Sequence, residues 1–313
     1  YVNVVKTPLK DADGNIIGLQ GIFWDITERV VAEQREKEAS AALARSREEL
    51  RLKNEQLEKD QAMAREIQQA FFTSQYPVFP SNALPQHSKI QFYHRYLPAG
   101  SVSGDFFNVM QISDTVAGVF ISDVMGHGVR SALITAMLRA LLEELRPIAS
   151  DPGEFLTQLN LALRTILRQS GAPMFTTAFY LLIDLEKEEF RFTNAGHPKP
   201  LLLRTTEDGT THVASSDGQP QPAMGLFDQT EYRTSSMPFK EGDTVILYTD
   251  GLVEIENEEG EWFDTEKLLA SLSSKENSSR LNDVCDAVLQ DIRDFAHTET
   301  FEDDVCLLGV RIS

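Results

Sequence analysis

The chain has 313 residues, 42% hydrophobic and 25% charged, which is enough for a sizeable core and carries no signature of collagen, disorder or a disulfide scaffold. With 48 Asp and Glu against 29 Lys and Arg, the net charge of −19 repels phosphate backbones and anionic lipid, so nucleic acid is excluded as an expected partner. Two cysteines, Cys285 and Cys306, make neither a disulfide framework nor a Cys-rich zinc site and fit a reducing compartment.

Residues 1–26 read as two strands and a turn. Tyr1–Lys6 alternates toward Val4 and Val5, Asp11-Ala-Asp-Gly-Asn15 supplies turn chemistry, and Ile16–Trp24 resumes a β-prone run. An isolated hairpin is marginal in water, so these strands are expected to be the end of a larger sheet. The first residue is Tyr1, not Met, so the chain is expected to be a fragment, with a sensor or membrane segment upstream; it opens on no signal peptide. No apolar run approaches the roughly 18–20 residues of a membrane span.

From Thr27 more than 40 residues pass without Gly or Pro, rich in Glu, Arg, Lys, Gln and Ala, which predicts one long helix over 27–75. Leu43, Leu50, Leu57 and Ala64 recur every seven residues on one stripe, as a coiled-coil seam requires. The second leg of the heptad is polar at Arg47, Asn54 and Gln61, so a solvated helix is the competing reading. A weak parallel dimer stalk is preferred, because it buries the leucines.

Pro77, Pro80 and Pro85 end the helix, and a mixed domain follows over 76–313. Strands are expected at Ile90–Tyr96, Val116–Ser122, Thr176–Ile183, Glu189–Thr193, Pro200–Leu203, Thr244–Tyr248 and Val305–Val310. Helices are expected at Arg130–Leu145, Pro152–Arg168, Thr265–Ser273 and Leu281–Phe295. Many short strands with helices inserted in pairs indicate an α+β layered domain.

Within that domain several carboxylates stand at strand ends or in glycine turns. Asp105 lies in Ser103-Gly-Asp-Phe-Phe107, Asp123 ends the run Gly118-Val-Phe-Ile-Ser122, Asp250 follows Val245-Ile-Leu-Tyr-Thr249, and Asp303 and Asp304 precede Val305. Each alone reads as a turn Asp or a helix N-cap. Together they would repel and acquire raised pKa values unless a strong positive charge is held among them. Oxygen donors with no Cys and little His favour Mg²⁺ or Mn²⁺ over zinc, and two such ions about 4 Å apart suit an in-line displacement at phosphorus. His127, between two glycines, divides evenly between a functional and a turn role; His197 in Asn194-Ala-Gly-His-Pro198 is read as ordering its loop. Gly126 and Gly128 before a helix are a weak anion-site signal.

The ordered set Ser103-Gly-Asp-Phe-Phe107, Ser122-Asp-Val-Met-Gly-His-Gly128, Asn194-Ala-Gly-His-Pro198, Tyr248-Thr-Asp-Gly-Leu-Val-Glu254 and Glu302-Asp-Asp-Val305 resembles the PPM family of metal-dependent Ser/Thr protein phosphatases, and within it the bacterial SpoIIE/RsbU branch. Ala64-Arg-Glu-Ile-Gln-Gln69 resembles that branch's entry helix, and residues 1–30 resemble the last strands and exit of a PAS sensor. The resemblance implies a pair of antiparallel β-sheets flanked by helices, with a two-metal centre holding Mn²⁺ or Mg²⁺ at one edge. Asp105 and Asp123 would hold and bridge the metals, the Val124 carbonyl would add a ligand, and Asp250 with Asp303 or its neighbour Asp304 would complete the set. A metal-activated water would attack phosphoserine or phosphothreonine directly, without a phosphoenzyme.

The implied substrate is a phosphorylated STAS-domain anti-anti-sigma factor, in the bacterial cytoplasm. A PAS signal would alter pairing of the stalk and shift the entry helix against the helix at 130–145. Two departures stand out. Met125 occupies the place of a general-acid His in eukaryotic relatives, and no Arg matches their phosphate-binding Arg unless it is Arg95. The rival reading is a catalytically silent phosphatase-like adaptor that binds a phosphoprotein. A histidine kinase is excluded, since 27–75 contains no His, and a cyclic-dinucleotide synthase lacks its Gly-Gly-acidic turn.

Overall fold

A computed structural model describes residues 1–72, 75–126, 128–170, 174–205, 211–215, 221–273, 280–298 and 301–313. It divides into two compact units, 1–60 and 61–313.

In the first unit, β1 (Val2–Lys10) and β2 (Ile16–Asp25) pair antiparallel as a two-stranded sheet. Their turn is built by Asp11, whose Oδ1 accepts the N–H groups of Asp13 and Asn15 at 3.0 and 2.8 Å, with Gly14 in the left-handed region at φ 90°. α1 (Thr27–Gln69) begins where Asp25 Oδ1 accepts the Thr27 N–H at 2.8 Å. The hairpin leaves Val2, Ile16, Ile17, Leu19, Phe23 and Trp24 exposed, and α1 leaves Leu43, Leu50 and Leu57 exposed. Among the described residues no helix is long and apolar enough to cross a membrane.

The second unit is a β-sandwich with helices on both outer faces. One sheet has the order β10-β7-β6-β5-β4, from β4 (Asp105–Gln111), β5 (Val116–Val124), β6 (Thr176–Asp184), β7 (Glu189–Ala195) and β10 (Ser235–Pro238). The other has the order β3-β12-β11-β8-β9, from β3 (Ile90–Leu97), β8 (Leu201–Thr205), β9 (Thr211–Ser215), β11 (Thr244–Tyr248) and β12 (Val305–Ile312). All named strand pairs are antiparallel.

Strand alternation sorts each sheet's side chains into two layers. Phe107, Val119, Ile121, Phe179 and Leu181 face inward and meet Val245, Leu247, Leu308 and Val310 of the second sheet. Their neighbours Phe106, Phe120, Tyr180 and Leu182 face outward, under α2 (Val129–Glu144) and α3 (Pro152–Ser170). On the far side Ile246, Tyr248 and Leu307 pack against α4 (Thr265–Ser273) and α5 (Leu281–Ala296). Each fully buried Leu, Val or Phe contributes on the order of 1.5–3 kcal/mol, which makes this three-layered core the dominant favourable term. Gly309 lets α5 settle on β12, since a Cβ there would come within 2.8 Å of Leu281 and 3.1 Å of the Cys285 sulfur.

All seven expected strands and all four expected helices of the domain are present, with ends shifted by at most two residues. β4, β9 and β10 fall outside the expected strands. β4 runs Asp-Phe-Phe-Asn-Val-Met-Gln with six of its residues buried, so burial on both faces removes the alternation that marks a strand. β10 is a four-residue edge strand ending in Pro.

Candidate metal centre

β4 and β5 pair so that Asp105 stands directly opposite Asp123. Side chains opposed on adjacent antiparallel strands share a face with Cβ atoms only about 4.5–5.5 Å apart, and like charges so placed repel. The second sheet brings its acids to the same end of the sandwich. Tyr248, the last residue of β11, is opposite Leu307 of β12, which sets Asp250 beyond one strand and Asp303 before the other. Gly251 is pressed onto that segment: a Cβ there would lie 2.1 Å from the Asp304 carbonyl oxygen and 3.4 Å from Asp303 Cβ.

Thr249 joins the two sheets. Its hydroxyl donates to Asp105 Oδ2 at 2.7 Å and accepts the Cys306 N–H at 2.9 Å, while its own N–H donates to the Cys306 carbonyl at 3.0 Å. Asp304 does related work on the loop before β4, accepting the Ala99 N–H at 2.8 Å on one oxygen and the Gly104 N–H at 2.9 Å on the other. Gly104 has no room for a side chain, because a Cβ would stand 2.6 Å from the Val124 carbonyl oxygen and 3.0 Å from that of Gly126. The end of α1 reaches the same turn: Gln68 Nε2 donates to the Ser103 carbonyl at 2.8 Å and to Thr135 Oγ1 at 3.1 Å, and its Oε1 accepts the Ser103 N–H at 3.1 Å.

Neighbouring aspartates therefore differ in availability. Asp304 is buried with both oxygens engaged, whereas Asp303 is exposed and its Oδ1 accepts the Asp304 N–H at 2.8 Å. Asp250 is half-buried and opens a single 3₁₀ turn to Leu252, its Oδ1 accepting the Gly251 N–H at 3.1 Å.

Burial raises the carboxyl of Asp105 well above the usual range, the facing Asp123 raises it further, and the Thr249 hydrogen bond opposes both. Asp123 is pushed up to about 7, first by burial and then by the charges of Asp250, Asp303 and Asp304. Asp250 is raised by burial and then by Asp303. The charges that act on these three acids are those of neighbouring aspartates, Asp303 and Asp304 included, an arrangement that a cation would relieve. Oxygen donors with neither sulfur nor imidazole fit a hard divalent ion. Among the described residues no three His, Cys, Asp or Glu side chains close into a formed coordination shell. The acids are gathered at one end without being drawn together.

Of the other residues singled out in sequence, His127 lies outside the described residues, and Met125 is exposed. His197 is buried with Nδ1 2.9 Å from Thr177 Oγ1, and its backbone is clasped by Asn194, which accepts its N–H at 2.8 Å and donates to its carbonyl at 2.9 Å. Burial holds its pKa down at about 3, so it orders its loop as a neutral ring. Arg95 is committed elsewhere, in a two-pronged pair with Asp286 of α5 at 2.6 and 2.8 Å. Thr249 and Gln68 carry no signal of these roles in sequence, although Thr249 lies in Tyr248-Thr-Asp-Gly and Gln68 in the entry helix.

A family model described as Stage II sporulation protein E (SpoIIE) matches residues 113–313. The chain belongs to the SpoIIE family. The phosphoserine phosphatase RsbP of Bacillus subtilis is 32% identical over 169 residues, 54% of this chain and 41% of RsbP. The phosphoserine phosphatase RsbU of the same organism is 25% identical over 230 residues, 73% of this chain and 65% of RsbU. The match thus spans less than two thirds of either relative. Among solved structures, the SiaA-PP2C domain of Pseudomonas aeruginosa superposes with a TM-score of 0.69 at 22% identity, covering 83% of this chain and 98% of that one. The sandwich is therefore a SpoIIE-type domain with the PP2C fold.

Proposed function

We propose that this SpoIIE-family domain is a metal-dependent protein phosphatase that hydrolyses phosphoserine or phosphothreonine on a partner protein. The observation that supports the reading best is the convergence of Asp105 and Asp123 from one sheet with Asp250 and Asp303 from the other, each sheet supplying half of a mutually repelling set. These four carboxylates and the Val124 carbonyl would hold two Mn²⁺ or Mg²⁺ ions, which when bound supply Lewis acidity toward the phosphoryl oxygens and acidify the attacking water.

The chain's own residues prepare that place. Thr249 fixes the orientation of the Asp105 carboxylate from across the sandwich. Asp304 fixes the turn carrying Gly104 and Asp105, and so acts here as a positioning residue. Asp303 and Asp250, less buried than Asp105, form the open side through which a phosphorylated side chain would enter. Water needs no nucleophilic Ser or Cys here, so no phosphoenzyme forms.

Mn²⁺-dependent turnover of p-nitrophenyl phosphate, lost on Asp105→Ala, is the expected result; a wild-type chain that binds a phosphoprotein without turnover would point instead to a silent adaptor. The names of RsbP and RsbU support the phosphoserine assignment. A phosphorylated STAS-domain anti-anti-sigma factor is the substrate favoured by family analogy, and a panel of phosphorylated STAS proteins assayed with and without Mn²⁺ tests it.

Residues 1–26 would be the end of a PAS-like sensor, and the exposed stripe Leu43, Leu50 and Leu57 on α1 supports parallel pairing into a homodimer in the bacterial cytoplasm. The contacts of Gln68 with Ser103 and Thr135 give the stalk's last turn a direct route to the Asp105 turn and to α2. Replacing the three leucines by Ser is expected to halve the mass measured by light scattering; an unchanged mass would rule out the seam.

A further inference from the structure

Beside the carboxylate cluster lies a cleft of about 510 Å³ that hydrolysis of a simple phosphate ester would leave unused. Gly251 and Asp303 are among its lining residues, so it adjoins the proposed metal centre. Its apolar surface is Ile255, Trp262 and Phe301, and its charged wall is Glu254, Glu256 and Glu302, with no Lys or Arg among the described residues that line it.

The outer wall is a built element. The Phe263 N–H donates to the Ile255 carbonyl at 2.8 Å, the Asn257 N–H donates to the Glu261 carbonyl at 2.9 Å, and Glu256 bridges Trp262. Asn257 Oδ1 closes the tip by accepting the N–H groups of Glu259 and Glu261 at 3.0 and 2.9 Å. Phe263 is buried against Phe295 and anchors this hairpin to the core, while its neighbour Trp262 stays 51% exposed. An exposed indole carried on a hydrogen-bonded hairpin beside a cleft makes an effective anchor for an apolar side chain.

We propose that this cleft seats the polypeptide flanking the phosphorylated residue, and that it selects a segment carrying a basic side chain beside an apolar one. The inference rests on the phosphatase reading of the adjoining carboxylates. Charge complementarity chooses the occupant: an acidic wall on a strongly acidic chain disfavours acidic segments and attracts Lys or Arg, while Trp262, Ile255 and Phe301 receive an apolar side chain. The acidic surroundings would also penalise the doubly charged phosphate, and an adjacent cation on the substrate would offset that repulsion.

The test uses the full chain with Mn²⁺, p-nitrophenyl phosphate as a substrate without flanking residues, and phosphoserine peptides in which one Arg or one Glu is scanned through the positions on either side. An Arg peptide is expected to exceed its Glu counterpart in kcat/KM by about tenfold. Trp262→Ala should lower kcat/KM on the Arg peptide about tenfold more than on p-nitrophenyl phosphate. A Glu256→Lys, Glu302→Lys double variant, altered only at exposed positions, should invert the preference. Peptides and variants that all track p-nitrophenyl phosphate would overturn the cleft assignment and leave the phosphatase reading standing. Absence of Mn²⁺-dependent turnover on every substrate would overturn both.

Discussion

The two halves of the candidate site are made differently. The first sheet contributes Asp105, fully buried, and Asp123, half-buried, from within paired strands and opposed in register, where position is set by the hydrogen-bond ladder. The second contributes Asp250 and Asp303 from segments just beyond β11 and β12, less buried and placed by a 3₁₀ turn and by a glycine packed against the facing backbone. The ladder half therefore pays most in charge repulsion and desolvation, and the loop half can adjust. A site assembled this way exists only when the sandwich is closed, because Thr249 of one sheet holds the acid of the other.

The largest effect that would sharpen this contrast is on turnover. Asp105→Ala and Asp250→Ala should each lower kcat/KM on p-nitrophenyl phosphate by on the order of 10³-fold or more. They should differ in metal-free stability: removing the buried Asp105 raises the thermal midpoint, whereas removing Asp250 moves it less. Equal shifts would break the distinction between a ladder half and a loop half.

Next in size is Asp304→Ala, which strands the N–H groups of Ala99 and Gly104. The buried Gly104 donor left unsatisfied costs about 1–3 kcal/mol and the more exposed Ala99 N–H adds little, a loss readable in urea unfolding. Thr249→Val comes third, and should weaken Mn²⁺ binding by about 10–100-fold, as loss of a group that orients a ligand does. A variant with unchanged affinity would show that the sheets do not depend on one another.

A further effect, spread over several pH units, is on pH dependence. Asp123 has a folded-state pKa of about 7 against an ordinary 3.8. Between those values the native state holds a proton that the unfolded chain has released, so metal-free stability should fall as pH rises from about 4 to about 7. Asp123→Asn should flatten that slope, and saturating Mn²⁺ should oppose it. A slope of the reverse sign in the wild-type chain would contradict the raised pKa.

Much of this was legible in the sequence because strand periodicity and glycine punctuation report local structure directly. Asp123 and Asp250 announce themselves by ending apolar runs, and Asp105 by its Ser-Gly-Asp turn. What stayed hidden was long-range. Asp105 opens a strand that is buried on both faces and has no alternation to reveal it. Nothing in Asp303-Asp304 says that one carboxylate is exposed while the other is spent on two backbone amides distant in sequence. Thr249 and Gln68 matter through partners at least 35 residues away. The exposed leucines of α1 show the converse: the heptad was readable, but periodicity does not name the surface that would cover it.

Titration calorimetry of Mn²⁺ into this chain is the most direct check on whether these acids form one cation site. The expected outcome is uptake of two ions per chain, with heat largely abolished both by Asp105→Asn on the first sheet and by Asp250→Asn on the second. Undiminished binding in either variant, or no binding to the wild-type chain, would contradict it.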